Sequence, residues 1–180
     1  MKIILASNSP RRKELLQLNG IDFEVIPSNV DEVIDHELNV YENVMNLAKI
    51  KCLDVYQKNT GRTVLAADTI VVFNNEILGK PKDEKDAFRM LSLLSGQTHE
   101  VITGVAVAKD NGVEVSYEVS KVVFKNLTEE EIFEYISTKE PMDKAGSYAI
   151  QGIGGKFIEK FEGDFNNIVG LPVELVKKML

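Results

Sequence analysis

The chain has 180 residues, a net charge of −7 and a single cysteine, Cys52. That length fits one domain spanning residues 1–180, with room for a sizeable core. The acidic balance argues against a nucleic-acid footprint, which needs a basic face, and one cysteine rules out an internal disulfide and a cysteine-based metal spacing. No apolar run approaches membrane-spanning length, and the one at the N-terminus is too short for a signal peptide. The expectation is a cytoplasmic protein with no membrane partner.

Ile3 to Ala6 reads as a buried strand. Ser7-Asn8-Ser9-Pro10 follows, with Ser9 placed as an N-cap and Pro10 at the first helical position, where its missing N–H costs nothing. The helix continues through Leu15, Leu16 and Leu18, and Gly20 closes it. Arg11 and Arg12 therefore fall in the first helical turn, where cations are disfavoured. An anion docked there would relieve the conflict, because free N–H groups, serine hydroxyls and guanidinium forks could all point at it. The competing reading is a pair of solvated arginines.

Phe23 to Pro27 alternates as a second strand. The acidic run Asp31, Glu32, Asp35, Glu37 reads as a solvated loop. Asn39 with Glu42 forms a capping box that opens a helix to about Lys58. Its apolar face (Val44, Leu47, Ala48, Val55) also carries Lys51, which either snorkels outward or enters a polar cavity. Thr63 to Ala67 is a strand ending at Asp68. Thr69 to Phe73 and Glu76 to Leu78 then form a hairpin over Asn74-Asn75. Asp68 has apolar flanks on both sides, so its carboxylate needs a partner, a hydrogen bond or a metal.

Gly79-Lys80-Pro81 forms a turn, in which Lys80 is either a phosphate contact or a surface lysine. Asp83 caps a helix to Leu94, stopped by Gly96. Val101–Lys109 and Val113–Phe124 form a long hairpin over Asn111-Gly112, and a phase change in the second strand predicts a bulge near Lys121. Thr128 and Glu131 form another capping box, for a helix to about Thr138. Residues 146–155 hold four glycines, the sign of close backbone approach, but no phosphate-loop or dinucleotide fingerprint is present. Phe157 to Phe161 is a last strand before Val169-Gly170-Leu171-Pro172 and a closing helix. His36, His99 and Cys52 make no recognisable triad; His99 reads as structural and Cys52 as packing.

Taken in order, S-N-S-P-R-R-K-E-L-L, A-A-D-T-I-V-V, G-K-P, L-S-G-Q-T-H, E-P-M-D-K-A-G-S-Y-A-I-Q-G and G-L-P resemble the Maf family of nucleoside triphosphate pyrophosphatases, from Leu5 to about Pro172. The resemblance implies an inosine triphosphate pyrophosphatase-like fold of the α/β (mixed α+β) class, with an elongated mixed β-sheet flanked by helices and two lobes around a cleft. It implies metal-dependent hydrolysis of a nucleoside triphosphate between its α and β phosphates, in a house-cleaning role. Asp68-Thr69 and Tyr148-x-Ile-Gln-Gly look like the branch acting on dTTP and UTP, with modified pyrimidine nucleotides also candidates. The alternatives are the 7-methyl-GTP branch and a non-catalytic regulator of septum formation.

On that resemblance, Ser7, Ser9, Arg11 and Arg12 hold the phosphate chain, and Lys51 and Lys80 neutralise it. Glu32 and Asp68 place Mg²⁺ or Mn²⁺, ions suited to carboxylates plus substrate phosphates. Asp68 matches the proton acceptor for the attacking water. Arg11, Thr69 and Gln151 match positions associated with substrate choice, and a glutamine amide can pair with a pyrimidine edge as donor and acceptor together. The hairpin about Asn111 is a candidate homodimer surface.

Overall fold

The structure, a computed structural model, describes residues 1–180. It is a mixed α/β fold with six α-helices and a seven-stranded sheet. The strands are β1 (Ile3–Leu5), β2 (Phe23–Val25), β3 (Val64–Phe73), β4 (Glu76–Leu78), β5 (Thr98–Lys109), β6 (Gly112–Phe124) and β7 (Ile158–Glu162). Their order is β2-β1-β3-β5-β6-β7, with β4 paired to β3 off that path. β1 runs parallel to β2 and β3, while the β3/β4 and β6/β7 pairs are antiparallel. No helix is long and apolar enough to cross a membrane.

The chain divides into two compact units, each discontinuous in sequence. The first comprises Met1–Thr69, Thr103–Glu118 and Gly170–Leu180. It holds α1 (Pro10–Leu18), α2 (Val40–Tyr56) and α6 (Val173–Met179). α1 starts as expected: the Ser9 hydroxyl accepts from the Arg12 N–H, and Pro10 leads the helix. α2 carries a complete capping box, Asn39 Oδ1 accepting from Glu42 N–H while the Glu42 carboxylate accepts from Asn39 N–H. Small side chains of α2 (Ala48, Cys52) and of the sheet (Ala66, Ala106, Ala108) share one core cluster with Ile4, Val55 and Val64. Burial raises the Cys52 thiol to about 12, which fits a packing role. Gly104 on β5 lets α2 approach closely: a Cβ there would lie 2.4 Å from the Val44 carbonyl oxygen. The height of α2 above the sheet is thus set backbone against backbone.

The second unit comprises Ile70–Ile102 and Val119–Val169. It holds α3 (Glu84–Leu94), α4 (Glu129–Ser137) and the short α5 (Phe165–Val169). Its core is aromatic, with Phe124, Tyr135, Tyr148 and Phe157 packed among Leu91, Leu94 and Ile132. Three 3₁₀ turns, Glu140–Asp143, Ala145–Ser147 and Ile153–Phe157, carry the glycine-rich stretch.

Several local expectations change. Strand β3 does not stop at Asp68 but runs through it to Phe73. The β-branched residues that follow keep the backbone extended, and the carboxylate finds an ionic partner that lets it stay mid-strand. Against β7, the irregularity expected near Lys121 in β6 falls between Val123 and Phe124. At α4 the Thr128 hydroxyl accepts from Glu131 N–H, with only that half of a capping box formed. α5 has no counterpart among the expected elements; Asp164 starts it by accepting from Asn166 N–H.

Candidate active site

Lys51 is the centre of the first unit's charge cluster. It projects from the apolar face of α2, and its side chain is 10% exposed. Its Nζ donates to Asp68 Oδ1 at 2.6 Å and lies 2.7 Å from Glu32 Oε1. Of the two readings open from sequence, snorkelling is excluded: the lysine turns inward onto two carboxylates. Asp68 is likewise enclosed, at 9% side-chain exposure, whereas the Glu32 side chain is 59% exposed. The loop containing Glu32 thus returns one carboxylate to the sheet while the rest of its acidic run stays solvated.

Arg12 forms the second half of the cluster. Its Nε donates to the Gly170 carbonyl at 2.8 Å, Nη1 to Ser7 Oγ at 3.3 Å and Nη2 to Thr69 Oγ1 at 3.1 Å. Burial pulls this guanidinium below its ordinary pKa. The Asp68 carboxylate opposes that, Arg11 adds to it, and Glu32 opposes it. The cation at the helix N-terminus therefore stays in place through carbonyl and hydroxyl acceptors and two nearby carboxylates. Thr69 Oγ1 also lies 2.9 Å from Thr103 Oγ1 and 3.4 Å from the Gly170 carbonyl, so its bonds run within the protein. Ser9 spends its hydroxyl on the helix cap, and its N–H donates to Ser7 Oγ at 3.2 Å. Arg11 is half-buried in the same turn.

Ser7, Ser9, Arg11, Arg12, Glu32, Lys51, Asp68 and Thr69 all belong to the first unit. Lys80 and Gln151 belong to the second, where both are exposed, Lys80 after β4 and Gln151 in the turn before the third 3₁₀ element. Sequence reasoning missed Thr103, which is fully buried, and the carbonyl of Gly170, whose φ of +135° suits glycine. The Gly-Leu-Pro motif was the available signal for the latter.

Glu32 and Asp68 meet one ammonium with carboxylate oxygens. That hard donor pair suits Mg²⁺ or Mn²⁺ completed by water and phosphate oxygens. No group of three His, Cys, Asp or Glu side chains stands ready as a closed cage. The residues fit an ion that arrives with a phosphate-bearing ligand.

The family model for Maf-like protein matches residues 2–180. A dTTP/UTP pyrophosphatase of Bdellovibrio bacteriovorus is 50% identical over 185 residues, covering 99% of this chain and 96% of the relative. A dTTP/UTP pyrophosphatase of Bacillus cereus is 53% identical over 180 residues, covering 99% and 94%. The solved structure of the Staphylococcus aureus Ham1 protein superposes with a TM-score of 0.52 at 14% identity, covering 99% of this chain and 97% of that one. This last likeness speaks for the fold alone. Matched by one family model almost from end to end, and sharing about half of its aligned positions with full-length relatives, the chain belongs to the Maf-like protein family.

Proposed function

We propose that this protein hydrolyses dTTP and UTP, and modified pyrimidine nucleotides of the same shape, to the nucleoside monophosphate and pyrophosphate. The observation that carries the reading is Lys51, enclosed between Asp68 and Glu32 in the unit that also holds Arg12 and the serines of the first turn. The substrate class is supported by the names of the two relatives at 50% and 53% identity.

In the proposed reaction, water forms a bond to the α-phosphorus while the bond from that phosphorus to the bridging oxygen breaks. The electron pair leaves with pyrophosphate. Asp68 accepts the proton that the water loses, and the Lys51 ammonium holds the carboxylate in place while stabilising developing phosphoryl charge. The free donors of the first turn of α1, with Ser7 and Arg11, bind phosphate oxygens. Arg12 braces the turn through its fork, and Thr69 acts on substrate choice through Arg12. Lys80 adds a cation to the triphosphate, and Gln151 reads the pyrimidine edge with its amide. A divalent metal, held by Glu32 and Asp68, would supply charge neutralisation at the phosphates when bound. The protein works in the cytoplasm, with no nucleic-acid partner, and the β5–β6 hairpin is offered as a homodimer surface.

The test is pyrophosphate release from dTTP, UTP, CTP, ATP, GTP and 7-methyl-GTP, with Mg²⁺ or Mn²⁺ and with chelator. Chelator-sensitive release led by dTTP and UTP is expected. Release led by 7-methyl-GTP would keep the reaction and remove the roles given to Thr69 and Gln151. No release from any substrate would favour a binding protein.

A further inference from the structure

Gln151 stands exposed on a turn whose backbone is fastened on both sides of it. Before it, the Ala149 N–H points at the Tyr135 hydroxyl, at 3.4 Å. After it, the N–H groups of Ile153 and Gly154 donate to Glu140, each at 3.0 Å. The two fastenings are one, because the Tyr135 hydroxyl itself donates to Glu140 Oε2 at 2.6 Å. Gly152 completes the arrangement: a Cβ there would lie 2.0 Å from Glu140 Oε1. The carboxylate occupies the space that a side chain at position 152 would enter. Tyr135 is fully buried, so the anchor is fixed in the aromatic core. A carboxylate that accepts three donors holds a backbone more firmly than a neutral acceptor does.

We infer that Glu140 is a positioning residue for base selection, which sets the height and direction from which Gln151 meets the nucleotide base. The inference rests on the base-reading role proposed for Gln151. Glu140 touches no substrate; it acts by holding residues 149–154 around that glutamine. Removing the carboxylate frees two N–H groups and the Tyr135 hydroxyl together, and the turn loses its reference to the core.

The test is the ratio of kcat/KM for UTP to kcat/KM for ATP in the full chain. This ratio does not change with the fraction of molecules folded, so a merely structural role leaves it alone. Gln151→Ala is the reference variant. Glu140→Ala should lower the ratio in the same direction, by roughly threefold to tenfold, the span that one misplaced hydrogen bond commands. Glu140→Gln, which keeps one acceptor and the side-chain volume, should fall between wild type and Glu140→Ala, and it carries the test if the alanine variant does not fold. The double variant Glu140→Ala/Gln151→Ala should discriminate no worse than Gln151→Ala alone, because coupled residues are non-additive. If Gln151→Ala lowers the ratio and both Glu140 variants match wild type, the positioning role is wrong and the glutamine's role stands. Full multiplication of the two effects in the double variant would also overturn it. If Gln151→Ala leaves the ratio unchanged, the base-reading role fails, and the positioning role fails with it.

Discussion

The Lys51 ammonium lies 2.6 Å from Asp68 and 2.7 Å from Glu32, so one cation from helix α2 binds a strand carboxylate and a loop carboxylate at once. Lys51 and Asp68 are both enclosed, and removing one member of a buried pair leaves the other charge uncompensated. Lys51→Met should therefore lower stability by about 3 kcal/mol as well as reduce turnover. Urea denaturation and pyrophosphate release measured on the same preparation check both. A variant of wild-type stability would show that the pair contributes nothing net to the fold.

Asp68→Asn keeps the shape and removes the carboxylate proposed above as the proton acceptor. Turnover of dTTP should fall by about 10² to 10⁴, the range attributed to general base catalysis, with the circular dichroism spectrum unchanged. A folded Asp68→Asn variant that hydrolyses dTTP at near the wild-type rate would take Asp68 out of the mechanism.

Arg12 uses the planarity of its fork, reaching the Gly170 carbonyl, Ser7 and Thr69 from three nitrogens. A lysine has one nitrogen and cannot hold all three acceptors in that plane. Arg12→Lys should raise KM for the triphosphate and lower stability by about 1–3 kcal/mol. Unaltered KM and midpoint together would show that a point charge suffices.

His99 is buried against Tyr148, with Nε2 2.7 Å from the tyrosine hydroxyl and Nδ1 without a partner. Burial depresses its pKa from 6.5 to about 4. The folded protein thus keeps the ring neutral where the unfolded chain takes up a proton. The stability this provides is complete above about pH 6.5 and is lost as pH falls toward 4, in total about 3 kcal/mol. Urea midpoints measured between pH 7 and pH 4.5 should fall more steeply for the wild type than for His99→Gln. Parallel curves would place the acid sensitivity elsewhere.

Gly104→Ala should cost about 2–3 kcal/mol, because the new methyl meets backbone atoms of Val44 that have no rotamer to change. Turnover should fall with it, since the displaced helix carries Lys51. Gly79→Ala is the control: nothing lies within 4 Å of a Cβ there, so its stability should stay within about 0.5 kcal/mol of wild type. Equal effects from the two substitutions would contradict the close approach of α2.

Short-range features were legible because their causes are local. Ser9-Pro10, the Asn39/Glu42 box and the Asn74-Asn75 turn, whose residues both have positive φ, formed as their sequences required. Lys51 and Asp68 were legible as violations: a cation on an apolar helix face, a carboxylate between apolar runs. That they neutralise each other was not legible, because the pairing depends on how α2 lies over β3. The Arg12 network was also hidden. Two of its three partners stand 57 and 158 positions away, and one of these is a carbonyl, which every residue possesses. Glu140 was hidden in the same way, since three of its partners are backbone or hydroxyl groups downstream or upstream of it.

The bond from Arg12 to the Gly170 carbonyl also bears on how the protein is made. Ribosomes build chains from the N-terminus, and the early parts of a chain begin to fold during synthesis. Here the first helix, β3 and the lysine-bearing helix all leave the ribosome well before residue 170. Until that residue emerges, the Arg12 guanidinium has no partner for its Nε, and the first turn lacks its brace. The N-terminal turn of the protein is therefore finished by one of its last segments, and a nascent chain that already holds β1, α1 and β3 completes the Arg12 fork only when Gly170 arrives.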